Sequence, residues 1–188
     1  MNLVVYIATS FDGFIAREDG SLDWLPGSEP GDESSLPEPD SGPQEDYGFG
    51  SFNTSVDALI LGRKSYEKVL SFGFWPYTDK RVIVLSSTLN EADSIVNGPI
   101  EFSQEAPLEL VKRLESEGVK KVWVDGGATI RSYLEAGLIN ELIITRIPVL
   151  IGAGLSLFAG LKKDIHLKII SSTNYSNGVI QQVLSPIK

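Results

Sequence analysis

Three short polar segments, each directly after an apolar run, contain the residue types that bind phosphate groups. They are Gly62-Arg63-Lys64-Ser65, Ser86-Ser87-Thr88 and Asp125-Gly126-Gly127-Ala128-Thr129. Glycine lets a ligand approach the backbone, a helix start favours an anion, and arginine can hold a phosphate through two hydrogen bonds. Each segment alone is also an ordinary turn or helix start. If the apolar runs are strands of one sheet, the segments meet in a common crevice and predict a dinucleotide-phosphate site.

A carboxylate interrupts the first apolar part of the chain. Asp12, followed by Gly13, lies within the stretch Ser10 to Ala16, just after the apolar run Leu3 to Ala8. Gly13 permits a turn at the end of a first strand. From the sequence, Asp12 either stabilises the loop that follows or contacts a substrate.

Several kinds of chemistry are excluded by what the sequence lacks. It has no cysteine and one histidine, so a Ser-His-Asp triad and a His/Cys zinc site are both excluded. His166, which alternates with Ile165 and Leu167, is predicted to face solvent on a strand. No P-loop motif occurs, Gly152-Ala153-Gly154 is a weak dinucleotide signal, and the acidic residues lack calcium-loop spacing. We predict no metal site, and difficult chemistry would come from a bound cofactor.

The charge of the chain is concentrated in one segment. The net charge is −9 over 188 residues, and ten acidic residues but no lysine or arginine lie from Glu18 to Asp46. The rest is nearly neutral, so the overall acidity says little about an anion site elsewhere. It does argue against a nucleic-acid partner, which needs a clustered basic surface. No apolar stretch is long enough to span a membrane, and the N-terminus lacks a signal-peptide pattern. We therefore expect no membrane partner and a cytoplasmic location, with which the lack of cysteine agrees.

Apolar runs and turn residues predict one α/β domain over residues 1–188, because strands alternating with helices favour a mainly parallel sheet. The predicted strands are 3–8, 58–61, 81–85, 122–124, 142–147, 165–171 and 179–184, and the predicted helices are 66–70, 107–117 and 129–136. The last two strands are predicted to be an antiparallel pair. Residues 19–46, rich in Pro, Gly, Ser and acids, are predicted to be a loop insertion, either a mobile flap or an ordered segment.

Six segments in order along the chain resemble the dihydrofolate reductase-like superfamily. Within it they resemble the bacterial proteins related to the riboflavin-pathway reductase domain, the RibD C-terminal domain. The segments are ATSFDGFIA (8–16), DWL (23–25), DALILGRKSYE (57–67), VLSS (84–87), VDGG (124–127) and PVLIGAG (148–154). The resemblance extends from residue 2 to about 185. It implies a three-layer fold with a mostly parallel central sheet, a C-terminal antiparallel hairpin and helices on both faces.

The resemblance also implies NADPH as the hydride donor. It places the phosphates near Arg63, Lys64 and Ser65, and the adenosine 2′-phosphate near Ser86 and Ser87. The cofactor-binding residues that it implies are Ala8, Ile15, Gly62, Arg63, Lys64, Ser65, Ser86, Ser87, Asp125, Gly126, Gly127, Ala128 and Thr129. Ala8 and Ile15 match positions beside the nicotinamide.

Asp46 falls, counting back without gaps from Gly62, where folate reductases carry an acid that hydrogen-bonds the pterin ring and aids its protonation. Burial would raise the pKa of such a carboxyl towards neutrality. Gly48 and Gly50 weaken the helix that would present it, and acids at helix starts are commonly caps. The implied substrate-binding residues are Thr9, Asp12, Trp24, Asp46 and Phe49, and the implied catalytic residues are Asp46 and Asp12.

The sequence therefore favours an NADPH-dependent reductase that transfers a hydride to a pterin-like or pyrimidine-like heterocycle, of the dihydrofolate reductase or 5-amino-6-(5-phosphoribosylamino)uracil reductase type. It departs from both types, since no basic residue for a glutamate tail can be placed and no Lys or Arg lies between Arg17 and Arg63. One alternative is a non-catalytic nucleotide-binding module of this fold. Another is a dimeric structural protein with Tyr133, Leu138 and the C-terminal strands at its interface. The resemblance also implies a homodimer, because members of the family form pairs.

Overall fold

The computed structural model describes residues 1–26 and 46–187. The predicted acidic insertion at about 19–46 therefore lies mostly outside the described residues. Within its described part, Asp23 accepts a hydrogen bond from the Arg17 guanidinium at 2.6 Å, and Asp19 accepts one from the Ser21 N–H at 2.8 Å.

The described residues form ten strands and four α-helices. The strands are β1 (Asn2–Ser10), β2 (Phe14–Ala16), β3 (Ala58–Gly62), β4 (Arg81–Leu85), β5 (Ile100–Ser103), β6 (Lys121–Asp125), β7 (Glu141–Ile147), β8 (Leu155–Ser156), β9 (Leu167–Asn174) and β10 (Ile180–Pro186). The helices are α1 (Phe49–Ser55), α2 (Arg63–Leu70), α3 (Pro107–Ser116) and α4 (Gly127–Glu135).

The chain divides into two compact units. The first unit contains Met1–Val5 and Ser55–Asn140, and the second contains Tyr6–Thr54 and Glu141–Lys188. Strand β1 contributes residues to both units.

The first unit is built on a parallel sheet with strand order β5-β4-β3-β6-β1. The middle residues of β3, β4 and β6 are apolar, mostly Val, Ile and Leu, and have almost no exposed surface, as expected for a parallel sheet covered on both faces. The register pairs Gly62 with Leu85 and Leu61 with Asp125, so that β4, β3 and β6 end at the same level. The predicted, mostly parallel central sheet is confirmed.

In helix α3 the residues that predicted a helix start, a buried face and a helix end occupy these positions in the structure. Pro107 occupies its first turn, where a missing N–H costs nothing, and Leu110 and Leu114 are fully buried on one face. The helix is followed by Gly118, whose φ of +88° suits the left-handed conformation that ends a helix. The predicted helix, 107–117, is confirmed to within one residue.

The second unit contains an antiparallel arrangement in which β10 pairs with β7 on one side and with β9 on the other. The predicted C-terminal hairpin is thereby confirmed. A second, two-stranded sheet joins β2 to β8. Trp24, Ile147 and Val179 form a buried apolar cluster in this unit.

Several expectations are corrected by the structure. Helix α2 begins at Arg63, three residues before the predicted start, and β9 begins at Leu167, so His166 precedes the strand and is exposed. Tyr133 is fully buried on α4 and Leu138 is half-buried, which removes Tyr133 from the predicted dimer surface. Among the described residues, no helix is long and apolar enough to cross a membrane.

Candidate functional site

The three phosphate-type segments lie side by side in the first unit. They follow β4, β3 and β6, which are adjacent parallel strands, and the register aligns the ends of these strands. Backbone turns at the carboxyl ends of neighbouring parallel strands are the usual place where such sheets bind ligands. The adjacency expected from the sequence is therefore present.

Two of these turns approach each other reciprocally. A Cβ atom on Gly62 would lie 2.8 Å from the Thr129 hydroxyl oxygen, and one on Gly126 would overlap the Ser65 hydroxyl. Gly126 also has φ of +91°, a conformation that L side chains rarely adopt. Gly126 therefore requires glycine, because of both its φ and the lack of space, whereas a Cβ on Gly62 would force the Thr129 hydroxyl to move.

The first two residues of α2 are positively charged. Arg63 and Lys64 are exposed there, and the preceding Gly62 has no side chain that could cap the first N–H groups of the helix. The Arg63 guanidinium makes one long contact with Glu67, at 3.4 Å, one helical turn away. Exposed pairs of this kind are weak. Free N–H groups, the helix dipole and two cations therefore favour an anion at this turn.

Ser86 and Ser87 differ in their surroundings. Ser86 is buried, and its hydroxyl oxygen accepts hydrogen bonds from the N–H groups of Thr88 at 3.1 Å and Leu89 at 2.9 Å. This geometry fixes the turn after β4. Ser87 and Thr88 are exposed. A ligand at this turn would therefore meet Ser87 and Thr88, while Ser86 shapes the backbone.

Asp125 is the carboxylate nearest to the glycine turn. Its residue surface is partly exposed, but burial of the carboxyl raises its pKa to about 6, against a smaller lowering by the Gly126 N–H. Tyr77 has a raised pKa because it is buried and because it lies near Asp125. Ionisation of the Asp125 carboxyl, directly after β6, therefore lowers the stability of the folded protein.

In the second unit, Asp12 fastens one loop to another. Its carboxylate accepts hydrogen bonds from the Ser10 hydroxyl at 2.6 Å and from the N–H groups of Gly152 at 2.8 Å and Ile151 at 3.3 Å. These bonds, the Ser10 one first, lower the pKa of Asp12. The Phe11 N–H donates to the Val149 carbonyl at 2.8 Å beside them. Of the two roles left open by the sequence, the geometry supports the stabilising one.

Asp46 caps the turn that leads into α1. Its carboxylate is exposed and accepts hydrogen bonds from the N–H groups of Gly48 at 2.8 Å and Gly50 at 3.1 Å, which lower its pKa. Burial in an apolar pocket, the premise for a raised pKa, is thus absent in the described structure. The helix that the two glycines were expected to weaken does form, and the Asp46 side chain accepts one of its first N–H groups, that of Gly50.

A polar network that the sequence did not suggest holds the residue after Asp46. Tyr47 has φ of +53°, unusual for a residue with a side chain. Its carbonyl accepts hydrogen bonds from the Tyr6 hydroxyl at 2.8 Å and from the Gln181 amide at 2.9 Å. Gln181 also donates to the Thr145 hydroxyl at 3.0 Å, and the Asn177 amide donates to the Tyr47 hydroxyl at 2.7 Å. The polar residues inside apolar strands, Tyr6, Thr145 and Gln181, were the available signal.

The remaining predicted residues of the second unit are spread over several elements. Thr9 is buried on β1, and Ala8 and Ile15 are half-buried. The Trp24 ring belongs to the buried apolar cluster, and its indole N–H has no hydrogen-bond partner among the described residues. Phe49 is exposed on α1, with its ring 5.5 Å from that of Tyr6.

Comparison with known proteins gives consistent results. A family model described as the RibD C-terminal domain matches residues 2–181. The chain belongs to the RibD C-terminal domain family. The uncharacterized protein YwjB of Bacillus subtilis is 35% identical over 179 residues, covering 94% of this chain and 93% of its own.

Solved structures share the fold of this RibD C-terminal domain. A protein of Shewanella sp. PV-4, named provisionally as a riboflavin biosynthesis protein, superposes with a TM-score of 0.84 at 33% identity over all of both chains. A diaminohydroxyphosphoribosylaminopyrimidine deaminase/5-amino-6-(5-phosphoribosylamino)uracil reductase of Thermotoga maritima has a TM-score of 0.67 at 14% identity, covering 99% of this chain and 56% of its own. At that identity the likeness concerns the fold. The family recognised from the six segments is confirmed, and it supports a reductase of this fold.

The residues present fit the dinucleotide that the RibD C-terminal domain family implies. At Gly126 there is no space for a side chain, so a ligand can approach the backbone there closely. The charge that a phosphate needs is provided at the uncapped start of α2 by Arg63 and Lys64.

Proposed function

We propose that the protein is an NADPH-dependent reductase that transfers a hydride to a pterin-like or pyrimidine-like heterocycle. The observation that carries this proposal is the alignment of three turns after β4, β3 and β6, with Gly62 facing Thr129 and Gly126 facing Ser65. Family membership supports the reductase part of the proposal.

The first unit would hold the phosphates. Arg63 and Lys64 would bind them as cations, while Ser65 and the N–H groups of the 126–129 turn would donate hydrogen bonds. The exposed Ser87 hydroxyl would meet the adenosine 2′-phosphate, and Ser86 would keep its turn in shape. Bound NADPH would supply the hydride.

The reacting rings would contact residues of β1, β2 and α1, and Trp24. Ala8 and Ile15 would contact the nicotinamide, and Thr9, Trp24 and Phe49 would contact the substrate. Flat rings suit the apolar and aromatic side chains of this set.

Asp46 and Asp12 have different roles in this proposal. Both carboxylates have lowered pKa values, so both are ionised at neutral pH. Asp46, which is exposed, would accept a hydrogen bond from a ring N–H and orient the heterocycle. Asp12 would hold the 149–152 loop in place, and water would deliver the proton. A group ionised at the working pH serves better as an acceptor than as an acid.

The charges of the second unit favour a substrate without a phosphate tail. Its sequence carries 13 acidic residues against 6 Lys and Arg. No Lys or Arg lies between Arg17 and Arg63, and the Arg17 guanidinium is already paired with Asp23 at 2.6 Å. A phosphate needs a nearby cation when it leaves water. We propose a neutral heterocycle as the substrate class.

Titration of protein fluorescence with NADPH, followed by NADPH oxidation assays with dihydropterins and ribosylaminouracils, tests the proposal. Binding with oxidation in the presence of a heterocycle supports the reductase. Binding without oxidation of NADPH by any of these substrates supports the non-catalytic nucleotide-binding module instead. A protein that does not bind NADPH contradicts both. The cytoplasmic location stays a prediction.

A further inference from the structure

One peptide unit of the second unit connects a polar network to the Asp46 carboxylate. It consists of the Tyr47 carbonyl and the Gly48 N–H. The carbonyl accepts hydrogen bonds from the Tyr6 hydroxyl at 2.8 Å and the Gln181 amide at 2.9 Å, and the N–H donates to the Asp46 carboxylate at 2.8 Å. A trans peptide unit is planar, and its C=O and N–H point in opposite directions. Whatever fixes the carbonyl therefore also fixes the direction of the N–H.

The backbone does not fix this peptide unit by itself. Rotation of the unit changes φ of Gly48, which is +83°. Glycine adopts positive and negative φ about equally readily, so Gly48 resists the rotation little. The preceding Tyr47 has φ of +53°, which is unfavourable for a residue with a side chain. A backbone conformation of this kind persists only where its surroundings hold it, and here the surroundings are the two donors.

Both donors are themselves held in place. The Tyr6 ring stacks on Phe52 with 4.7 Å between the ring centroids. Burial, with a lesser contribution from the negative charge of Asp46, raises the pKa of Tyr6, so that its hydroxyl stays protonated and can donate. Gln181 lies opposite Thr145 in the register of β10 and β7, and its amide also donates to the Thr145 hydroxyl at 3.0 Å. A carbonyl oxygen accepts two hydrogen bonds, so the donors from β1 and β10 satisfy it fully.

We propose that Tyr6 and Gln181 are positioning residues for Asp46, whose carboxylate they orient through the 47–48 peptide unit. Contact between this carboxylate and the substrate belongs to the proposed function, on which this proposal rests. The Oδ1 atom of Asp46 accepts the Gly48 N–H at 2.8 Å, and Oδ2 accepts the Gly50 N–H at 3.1 Å. With both oxygens held by the backbone, their remaining lone pairs keep one direction. A hydrogen bond that orients a heterocycle needs such a fixed direction.

Tyr47 has a second set of contacts that does not involve its carbonyl. Its ring packs against the buried apolar cluster and lies edge-on to the Tyr175 ring, with 4.8 Å between the centroids. Its hydroxyl accepts a hydrogen bond from the Asn177 amide at 2.7 Å. The residue is therefore expected to stay in place when its carbonyl loses one donor. What changes is the orientation of the peptide unit.

Two variants that each remove one donor test the proposal. Tyr6→Phe and Gln181→Met keep the approximate size of the side chain. In either variant the Gly48 amide should exchange with solvent roughly five to ten times faster, as expected for the loss of about one hydrogen bond. The pKa of Asp46 should rise towards the ordinary 3.8, because the Gly48 N–H is the main cause of its lowering. NMR titration of the labelled carboxyl measures this change.

The matched control is Gln182→Met. Gln182 is the next residue of β10, so its side chain lies on the opposite face of the sheet from that of Gln181. The control should alter neither the exchange of the Gly48 amide nor the pKa of Asp46. If both quantities also stay unaltered in Tyr6→Phe and Gln181→Met, the proposal is overturned.

Kinetics separates positioning from a general effect on the fold. With a heterocycle that the protein reduces, Tyr6→Phe should lower kcat/KM roughly five to tenfold and leave the dissociation constant of NADPH unchanged. In an Asp46→Asn background the same change should have almost no further effect, because the carboxylate through which Tyr6 acts is gone. An equal loss in both backgrounds overturns the proposal.

Failure of the proposed function would look different. A protein that oxidises NADPH with none of the heterocycles contradicts the proposed function. The exchange of the Gly48 amide and the pKa of Asp46 need no substrate, so they decide the positioning by Tyr6 and Gln181 in that case too.

Discussion

Gly126 and Ser65 lie so close together that a methyl group on Gly126 would overlap the Ser65 hydroxyl. Ser65 lies in the first turn of α2, which follows β3, and Gly126 lies between the adjacent parallel strand β6 and α4. Gly62 approaches Thr129 in a similar way, with the Thr129 hydroxyl oxygen 2.8 Å from the position of an added Cβ. The close approach at Gly126 therefore depends on the absence of a side chain there, and at Gly62 a side chain would displace the Thr129 hydroxyl.

Replacing Gly126 with alanine should impair both stability and NADPH binding. The positive φ would cost roughly 1 to 2 kcal/mol of stability, and the methyl group would push the Ser65 hydroxyl out of its place. Binding of NADPH, measured by fluorescence titration, should weaken at least about tenfold. Gly118→Ala is the control, because Gly118 has φ of +88° and nothing within 4 Å of an added Cβ. It should lose similar stability and keep its affinity. Equal losses of affinity in both variants would contradict the role of the turn.

Replacing Arg63 with alanine should weaken NADPH more than NADH, because its guanidinium would pair with the extra 2′-phosphate beside Ser87 as well as with the phosphates that both nucleotides carry. The stability of the protein should hardly change, since Arg63 is exposed and its contact with Glu67 is long, at 3.4 Å. Dissociation constants for the two nucleotides give the comparison. Lys112→Ala on α3 removes an exposed cation outside the three turns and should leave both constants unchanged. Equal weakening of NADPH and NADH by Arg63→Ala would place Arg63 on the phosphates that both nucleotides carry and would argue against a contact with the extra phosphate.

Replacing Asp12 with alanine should loosen the loop around Gly152. Its carboxylate accepts two N–H bonds from that loop, and no other acceptor is supplied when it is removed. Hydrogen exchange at the amides of Ile151 and Gly152 should become faster. In the unaltered protein this protection should be lost as the pH falls below the ordinary Asp pKa of 3.8, since the folded-state pKa is lowered.

The control for this loop is Asp19→Ala. Asp19 also has a lowered pKa and accepts a backbone N–H, from Ser21, but it makes no hydrogen bond to the 149–152 loop. Its removal should leave exchange at Ile151 and Gly152 unchanged. Faster exchange in both variants would show a general loss of stability instead of a specific fastening by Asp12.

Removing the phosphate from a ribosylaminouracil substrate should raise its kcat/KM. The second unit offers an anion only Arg17 in its N-terminal half, and that side chain is paired with Asp23. Steady-state assays on the phosphorylated and dephosphorylated forms provide the test. A preference for the phosphorylated form would show that another cation of the second unit, such as Arg146, reaches the substrate.

The sequence predicted the first unit better than the second because its signals there are local. Runs such as 58–61 and 82–85 are apolar on both faces, and Pro107 and Gly118 mark the ends of a helix. The common position of the three segments then follows because the carboxyl ends of adjacent parallel strands lie at one edge of the sheet.

The contacts of the second unit connect residues that are far apart in the chain. The amide of Gln181 reaches the carbonyl of Tyr47, 134 positions away, and Asp12 reaches Gly152 over 140 positions. Neither pairing has a local pattern. Short strands such as β2, with three residues, are equally hard to predict, because alternation needs more positions to show.

The buried carboxyl of Asp125 should make stability depend on pH. Its pKa in the folded protein is about 6, against 3.8 for an ordinary aspartate, because burial disfavours the charge. Between these values the folded protein binds the proton more tightly than the unfolded chain, so the free energy of unfolding should fall as the pH rises from about 4 to about 6. Asp125→Asn should remove this fall and stabilise the protein at pH 7 by up to about 3 kcal/mol, as urea unfolding would measure.

Asp57→Asn should change the free energy of unfolding at pH 7 in the opposite direction to Asp125→Asn. The Asp57 carboxylate accepts the N–H groups of Lys120 at 2.8 Å and Lys121 at 2.9 Å, and these bonds lower its pKa. Its contribution to stability is therefore present above pH 3.8 and lost as the pH falls through the lowered folded-state pKa. Asp57→Asn should destabilise the protein at pH 7, where Asp125→Asn stabilises it. If Asp125→Asn keeps the pH dependence of the unaltered protein, the Asp125 carboxyl is solvated and ionised in the fold, and the cost assigned to its burial is wrong.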